Sequence, residues 1–347
     1  MTKAVELAQV ASTGVSEAFK NRIINGAMVI DQRNAGASVT ANDGVFPVDR
    51  FRFFVSQSSK GTSQQSTTAP AGYINSLLFT SSSAYSVAAS DYFNIAQLIE
   101  GLNVSDLAWG TANAATVTLS FWVRSSLTGT FGGAVNNSAN SRSYPFSYTI
   151  SAANTFEYKT VTIPGDTSGT WLTTNGIGIR VFFSLGAGST YLGSSSAWGA
   201  TDYRGGLTGA TSVVGTNGAT FYITGVQLEV GSTATSFDYR PYGTELALCQ
   251  RYYELVSQFV GKATSAGQAE GSLTFLVQKR ASPSLTVLNG TNTLLEIGVA
   301  TRSFTTASGA TQVNGGYVTL TGGASMTSPN MCVLYNSASI IGASAEL

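Results

Sequence analysis

The chain has 347 residues, 43 % apolar and only 10 % charged, with 18 basic and 18 acidic residues, a formal net charge of zero and no histidine. Neutrality excludes the positive field that a nucleic-acid binder or a polybasic membrane anchor requires. The missing histidine excludes Ser-His-Asp and Cys-His catalysis and removes the commonest transition-metal ligand.

Ser, Thr, Gly and Asn make up for the scarce charges, a composition suited to β structure with many turns and to a protein that buries surface against copies of itself. Cys249 and Cys332 are too few for a zinc cluster and read as two buried free thiols. No run approaches ~18 apolar residues, so no membrane insertion is expected. No metal and no cofactor are expected.

Residues 1–20 are Ala- and Val-rich and interrupted by Gly14, with no apolar core of the signal-peptide kind. They read as a docking arm, too short to fold alone. From Asn21 the texture changes to strands and turns. Asn25-Gly26 and Asn42-Asp43-Gly44 are turn signals, residues 46–55 an aromatic β run, and residues 56–71 a polar loop. Strands follow at 73–79 and 92–99. Residues 116–124 alternate most clearly: Val117, Leu119, Phe121 and Val123 share one face, and Trp122 points to the other. That second face must be covered by another sheet, a neighbouring subunit or a ligand.

Further strands are expected at 144–150, 156–163, 177–183 and 221–230, the last with Gly225 marking a bulge or a close backbone approach. Residues 129–143 and 186–218 read as long Gly/Ser loops. Residues 241–253 form the one convincing internal helix, with Thr244 as cap and Leu246, Leu248 and Cys249 on its apolar side. Strands at 271–279, 284–289, 294–299, 317–320 and 331–335 make a second, smaller β region. The expected architecture is all-β: an N-terminal arm (1–20), a jelly-roll β-sandwich (21–240), a short connecting helix (241–253) and a smaller C-terminal β domain (254–347).

Several motifs occur in order. Asn21-Arg22-Ile23-Ile24-Asn25-Gly26 leads to Gln32-Arg33 and Asp49-Arg50-Phe51, then to Leu119-Ser120-Phe121-Trp122-Val123-Arg124-Ser125. Val226-Gln227-Leu228-Glu229-Val230-Gly231, Phe237, Arg240-Pro241-Tyr242-Gly243 and the run from Glu245 to Tyr253 close the series. Together they resemble the module of tail-fibre and other minor structural proteins of tailed bacteriophages, a carbohydrate-binding-like jelly roll. The resemblance covers residues 21–253, and its closing segment is the most specific part. It implies a homo-oligomer, a trimer, located in the virion as a tail or capsid appendage, docked to other virion proteins through residues 1–20. It also implies attachment to host-surface glycan, with a head or neck decoration fibre as the alternative.

Trp198 and Tyr203, followed by Trp109, Trp171 and Tyr191, are the candidate glycan contacts, because they are aromatic residues in Gly/Ser-rich loop context. Catalytic residues are not expected. A glycan-cleaving enzyme would need paired carboxylates, and Asp49, Glu100, Asp106, Asp166, Asp202, Glu229 and Asp238 show no pairing motif. Glu229 reads as facing solvent or a partner, and Asp49 as pairing with Arg50 or Arg52. Asn42, Asp43 and Asp202 carry the oxygen donors calcium takes, but as turn residues they need no metal.

Overall fold

Alternating strands of this kind bury one face each, and the computed structural model shows them closing on one another in pairs of sheets. It describes residues 19–347 apart from 195, 257, 289–292, 298–299, 323–325 and 335–340. Most of the expected arm, residues 1–18, therefore lies outside the described residues. The chain divides into two units, Met1–Tyr242 and Gly243–Leu347.

The first unit is a jelly-roll β-sandwich. Its eleven strands are β1 (Val39–Thr40), β2 (Phe51–Val55), β3 (Gly61–Ser66), β4 (Ser76–Ser81), β5 (Tyr92–Glu100), β6 (Val117–Ser125), β7 (Gly129–Asn136), β8 (Ser143–Ile150), β9 (Glu157–Ile163), β10 (Ile177–Ala187) and β11 (Thr220–Val230). A six-stranded sheet runs in the order β1-β3-β4-β11-β6-β9 and a five-stranded sheet in the order β2-β5-β10-β7-β8, all antiparallel. Neighbours distant in sequence, such as β4 and β11, give the crossing connections of a jelly roll. The inward faces meet in one core. Val117, Leu119, Phe121 and Val123 of β6 lie there with Phe183 of β10 and Phe146 of β8, all at most 1 % exposed.

Two stretches read as loops contain strands. Within 56–71, β3 pairs with β4 although neither of its faces is apolar. Within 129–143, β7 lies between β10 and β8. Its glycines hide the pattern but serve the packing: a Cβ on Gly133 would meet the Phe182 carbonyl oxygen at 2.1 Å and the Phe146 ring at 2.6 Å. The run 186–218 is largely irregular, with one 3-10 turn, Ser189–Tyr191, and an isolated bridge between Gly193 and Leu207.

The N-terminal motif forms no strand; it knots the unit together. Asn25 takes a left-handed φ of 60° and donates to the Ile30 and Asp49 carbonyls, both at 2.8 Å, while its side-chain oxygen accepts the Ile30 N–H at 2.9 Å. Asn21 ties the same segment to β11, donating to the Val226 carbonyl and accepting the Leu228 N–H, both at 3.0 Å. Asp49 pairs with Arg33 at 3.1 Å.

A helix, α1 (Tyr242–Gln250), starts on the last residue of the first unit and leads into the second. Thr244 lies inside its first turn and so is not its cap, and Glu245 and Cys249, four residues apart, are buried where Leu246 and Leu248 are half-buried. Ten strands follow: β12 (Tyr253–Val256), β13 (Phe259–Ser265), β14 (Gln268–Thr274), β15 (Ser284–Val287), β16 (Thr293–Glu296), β17 (Ala300–Ser303), β18 (Thr306–Gln312), β19 (Gly315–Thr321), β20 (Met331–Leu334) and β21 (Ile341–Ser344). They form a three-stranded sheet, β12-β21-β15, and a seven-stranded sheet, β17-β16-β20-β13-β14-β19-β18, over a core that includes Phe259, Leu273 and Val318. Cys249 and Cys332 are both free and buried. No helix of the described residues is long and apolar enough to cross a membrane.

Candidate functional site: an aromatic groove on the six-stranded sheet

The alternation that buries Phe121 forces Trp122 outward. The pairing places Trp122 between Thr224 of β11 and Tyr158 of β9. The two rings, on neighbouring strands, lie 5.4 Å apart at a tilt of 49°. Tyr158 is 43 % exposed.

Tyr73, before β4, sits on Gly225. There β11 bulges, with a register shift between Thr224 and Gln227 and a φ of +61° at the glycine. A Cβ on Gly225 would stand 2.7 Å from the Tyr73 hydroxyl and 2.8 Å from Cζ, so glycine is what lets the ring lie there. The bulge expected at Gly225 is present, and what approaches it closely is the Tyr73 ring.

A return segment completes the groove. After β11 the chain turns at Gly231 and runs back along β11. Glu229 holds it, accepting the Thr235 N–H at 2.9 Å and the Thr235 hydroxyl at 2.6 Å. Gln227 accepts the Asp238 N–H at 2.8 Å and donates to the Ser236 carbonyl at 3.2 Å. Glu229 is thus buried against its own chain, at 3 % exposure, and does not face solvent or a partner. The segment delivers Phe237, whose ring meets Tyr73 edge-on at 5.4 Å and Tyr239 at 4.8 Å.

The result is an open groove of about 490 Å³ lined by Tyr73, Ser120, Trp122, Tyr158, Gly225 and residues 234–237. This falls within the ~300–1,000 Å³ range of small-ligand sites. Burial, then the neighbouring Tyr239, pushes the Tyr73 phenol far above its ordinary range, so it stays a neutral hydroxyl. Aromatic faces can take the C–H face of a sugar ring while the hydroxyls of Ser120, Thr235, Ser236 and Tyr73 meet its polar rim. No carboxylate lines the groove among the described residues, and no group of acids, cysteines and histidines there could hold a metal.

The five aromatic residues expected to contact glycan lie elsewhere. Trp109, Trp171 and Trp198 pack edge-on against one another, with centroids 4.7, 5.3 and 5.5 Å apart. Their indole N–H groups donate to the backbone carbonyls of Ala115, Ser168 and Pro164. Trp109 belongs to the sandwich core and the other two pack against it. The void beside Trp109 and Trp171 is about 10 Å³, room for about one water. Tyr191 meets Tyr92 edge-on at 5.0 Å, and Tyr203 is half-buried in the same loop. Tyr73, Tyr158 and Phe237 were not legible as site residues; the out-of-phase Trp122 was the one signal pointing to their face.

Of the acids weighed for catalysis, Asp49, Asp106, Asp166, Asp202 and Asp238 each pair with an arginine: Arg33, Arg22, Arg142, Arg204 and Arg240.

No family model matches the sequence, and no curated protein matches it. Solved structures similar to it include the enzymatically active domain of tailspike protein 4 from bacteriophage CBA120, at 10 % identity and a TM-score of 0.34 over 61 % of this chain; the chain spans 22 % of that structure's length. A family 11 carbohydrate-binding module from Clostridium thermocellum, in complex with a mixed-linked tetrasaccharide, is 13 % identical over 57 % of this chain and 98 % of its own, with a TM-score of 0.28. The N-terminal cellulose-binding domain of a Cellulomonas fimi β-1,4-glucanase is 12 % identical over 58 % of this chain and 98 % of its own, with a TM-score of 0.25.

Proposed function

We propose that this chain is a non-catalytic, saccharide-binding structural subunit of a bacteriophage particle, an appendage protein that holds host-surface glycan in the groove on its six-stranded sheet. The observation that carries the binding part is the groove itself: Trp122, Tyr158, Tyr73 and Phe237 converge on one open cleft lined, among the described residues, with hydroxyls and no acid. Acid pairs are the means by which most glycosidases cleave, so this groove holds a sugar without hydrolysing it. The ordered motifs of residues 21–253 support the virion setting, and the low charge of the chain supports a self-associated state, a trimer.

Two measurements test this. A glycan array probed with the wild-type protein and with Trp122→Ala and Tyr158→Ala gives the expected result if bound signals fall in both variants. Removing one aromatic wall forfeits about 1–2 kcal/mol, a loss of roughly 5–30-fold. Unchanged signals, or release of reducing ends from a bound glycan, overturn the reading. Light scattering after size exclusion is expected to give a multiple of 36.0 kDa; a clean monomer contradicts the fibre assembly.

A further inference from the structure

The opposite sheet carries a different chemistry. On the outer face of the five-stranded sheet, the pairing puts Phe54 of β2 level with Asn94 of β5, and Arg52 level with Ala96, which in turn lies opposite Phe182 of β10. Arg180, two residues before Phe182, points the same way. Two guanidinium groups flank one ring: Arg52 lies 4.1 Å and Arg180 6.0 Å from the Phe54 centroid. Phe54 meets Phe182 edge-on at 5.5 Å, and Arg204, from the loop after β10, lies 5.9 Å from Phe182. Three arginines thus share one aromatic strip in a chain of zero net charge.

Their counter-charges are uneven. Asp202 accepts from both Nε and Nη2 of Arg204. Arg52 reaches Asp43 only at 3.8 Å, and that carboxylate is 56 % exposed. Arg180 has no carboxylate within 4.0 Å among the described residues; it donates to the Ser138 carbonyl at 2.6 Å, and its Nε is buried without a partner. Burial, then the charge of Arg204 and to a lesser degree that of Arg52, holds its guanidinium below the usual range, and the attraction of Asp202 offsets this only in part. On the same face, Asn94 is fully buried and neither atom of its amide has a partner.

We propose that this face binds an oxyanion carried by a saccharide, the carboxylate of a uronic-acid unit or a phosphate, seated between Arg52 and Arg180 above Phe54. Guanidinium forks match the geometry of both anions, and stacking on Phe54 pre-orients them so that little side-chain freedom is lost on binding. The anion supplies the contact ion pair that Arg180 lacks among the described residues, and the sugar ring presents an apolar face to the phenylalanine. The site is on the other sheet from the groove and does not depend on it.

The test is calorimetric titration of the full chain with tetragalacturonate, with the neutral tetragalactose and with inorganic phosphate. Each titration is run at low salt and at about 0.5 M salt, where screening is strong. The expected result is tighter binding of tetragalacturonate than of the neutral sugar, with the difference weakened by salt. Affinity drops about tenfold or more in Arg180→Gln and in Arg52→Gln. Binding of phosphate alone, lost in the same two variants, assigns the phosphate source. Arg180→Lys, which keeps the charge but not the fork, serves if Arg180→Gln does not fold. Binding indifferent to both arginines, equal binding of the neutral sugar, or no binding of either anion overturns the proposal.

Discussion

Gly225→Ala perturbs fold and groove at one atom. The backbone there has a φ of +61°, which costs an alanine about 1–2 kcal/mol. The new Cβ would also lie 2.7, 2.8 and 3.0 Å from Oη, Cζ and Cε1 of Tyr73. The ring must swing away, giving up its edge-on contact with Phe237 at 5.4 Å and its tilted contact with Tyr239 at 5.6 Å. Aromatic contacts of this kind contribute about 0.5–1.5 kcal/mol each. The two effects together come to about 2–5 kcal/mol, which in a unit of this size lowers the melting temperature by roughly 5–20 °C. Calorimetry measures it. A cycle with Tyr73→Ala separates the two effects: in the double variant the steric part vanishes and the conformational part stays, leaving a coupling of about 1 kcal/mol or more. A Gly225→Ala protein melting within about 1 °C of the wild type would refute the reasoning.

Asn25→Ala removes three buried hydrogen bonds at 2.8, 2.8 and 2.9 Å and places an alanine at φ 60°; a loss of about 3–5 kcal/mol is expected in urea unfolding. In the second unit, Glu296 is fully buried and accepts the Thr327 N–H at 2.6 Å, the Asn330 amide at 2.9 Å and Arg302 at 3.1 Å. The Thr327 N–H foremost, then Asn330 and Arg302, outweigh burial and depress its pKa below 4.5. A carboxylate depressed on folding contributes stability that is full above its unfolded pKa and is lost as pH falls through the folded one. Unit 2 is therefore expected to lose stability in acid below about pH 4.5, and Glu296→Gln to lose most of that acid dependence in pH-resolved melts.

The sandwich was legible where alternation is strict. Val117, Leu119, Phe121 and Val123 all reach the core with no exposed surface, and β5 and β11 lie within a residue of the spans expected for them. It was illegible where glycine replaces pattern: Gly132 and Gly133 are in β7 because close backbone approach forbids side chains, and composition reads that as loop. The polar β3 was missed because its pairing with β4, a long-range fact, holds it in place.

The site followed the same rule. The outward direction of Trp122 was read from its phase, though the residue was not among the expected glycan contacts. Tyr158 became its neighbour only through the β6–β9 pairing, and Phe237 only through the side-chain hydrogen bonds of Gln227 and Glu229, which no local pattern predicts. The loop tryptophans looked available because their context is polar; in space they find one another.

That difference gives the most direct test of the account. The chain has four tryptophans: three are packed together against the core, and Trp122 lines the groove. Indole fluorescence is therefore titrated with a bound saccharide in the wild type, in Trp122→Phe and in Trp198→Phe. The account predicts a saturable change that disappears in Trp122→Phe and persists in Trp198→Phe. A change that survives Trp122→Phe and vanishes in Trp198→Phe would place the sugar at the indole cluster and contradict it.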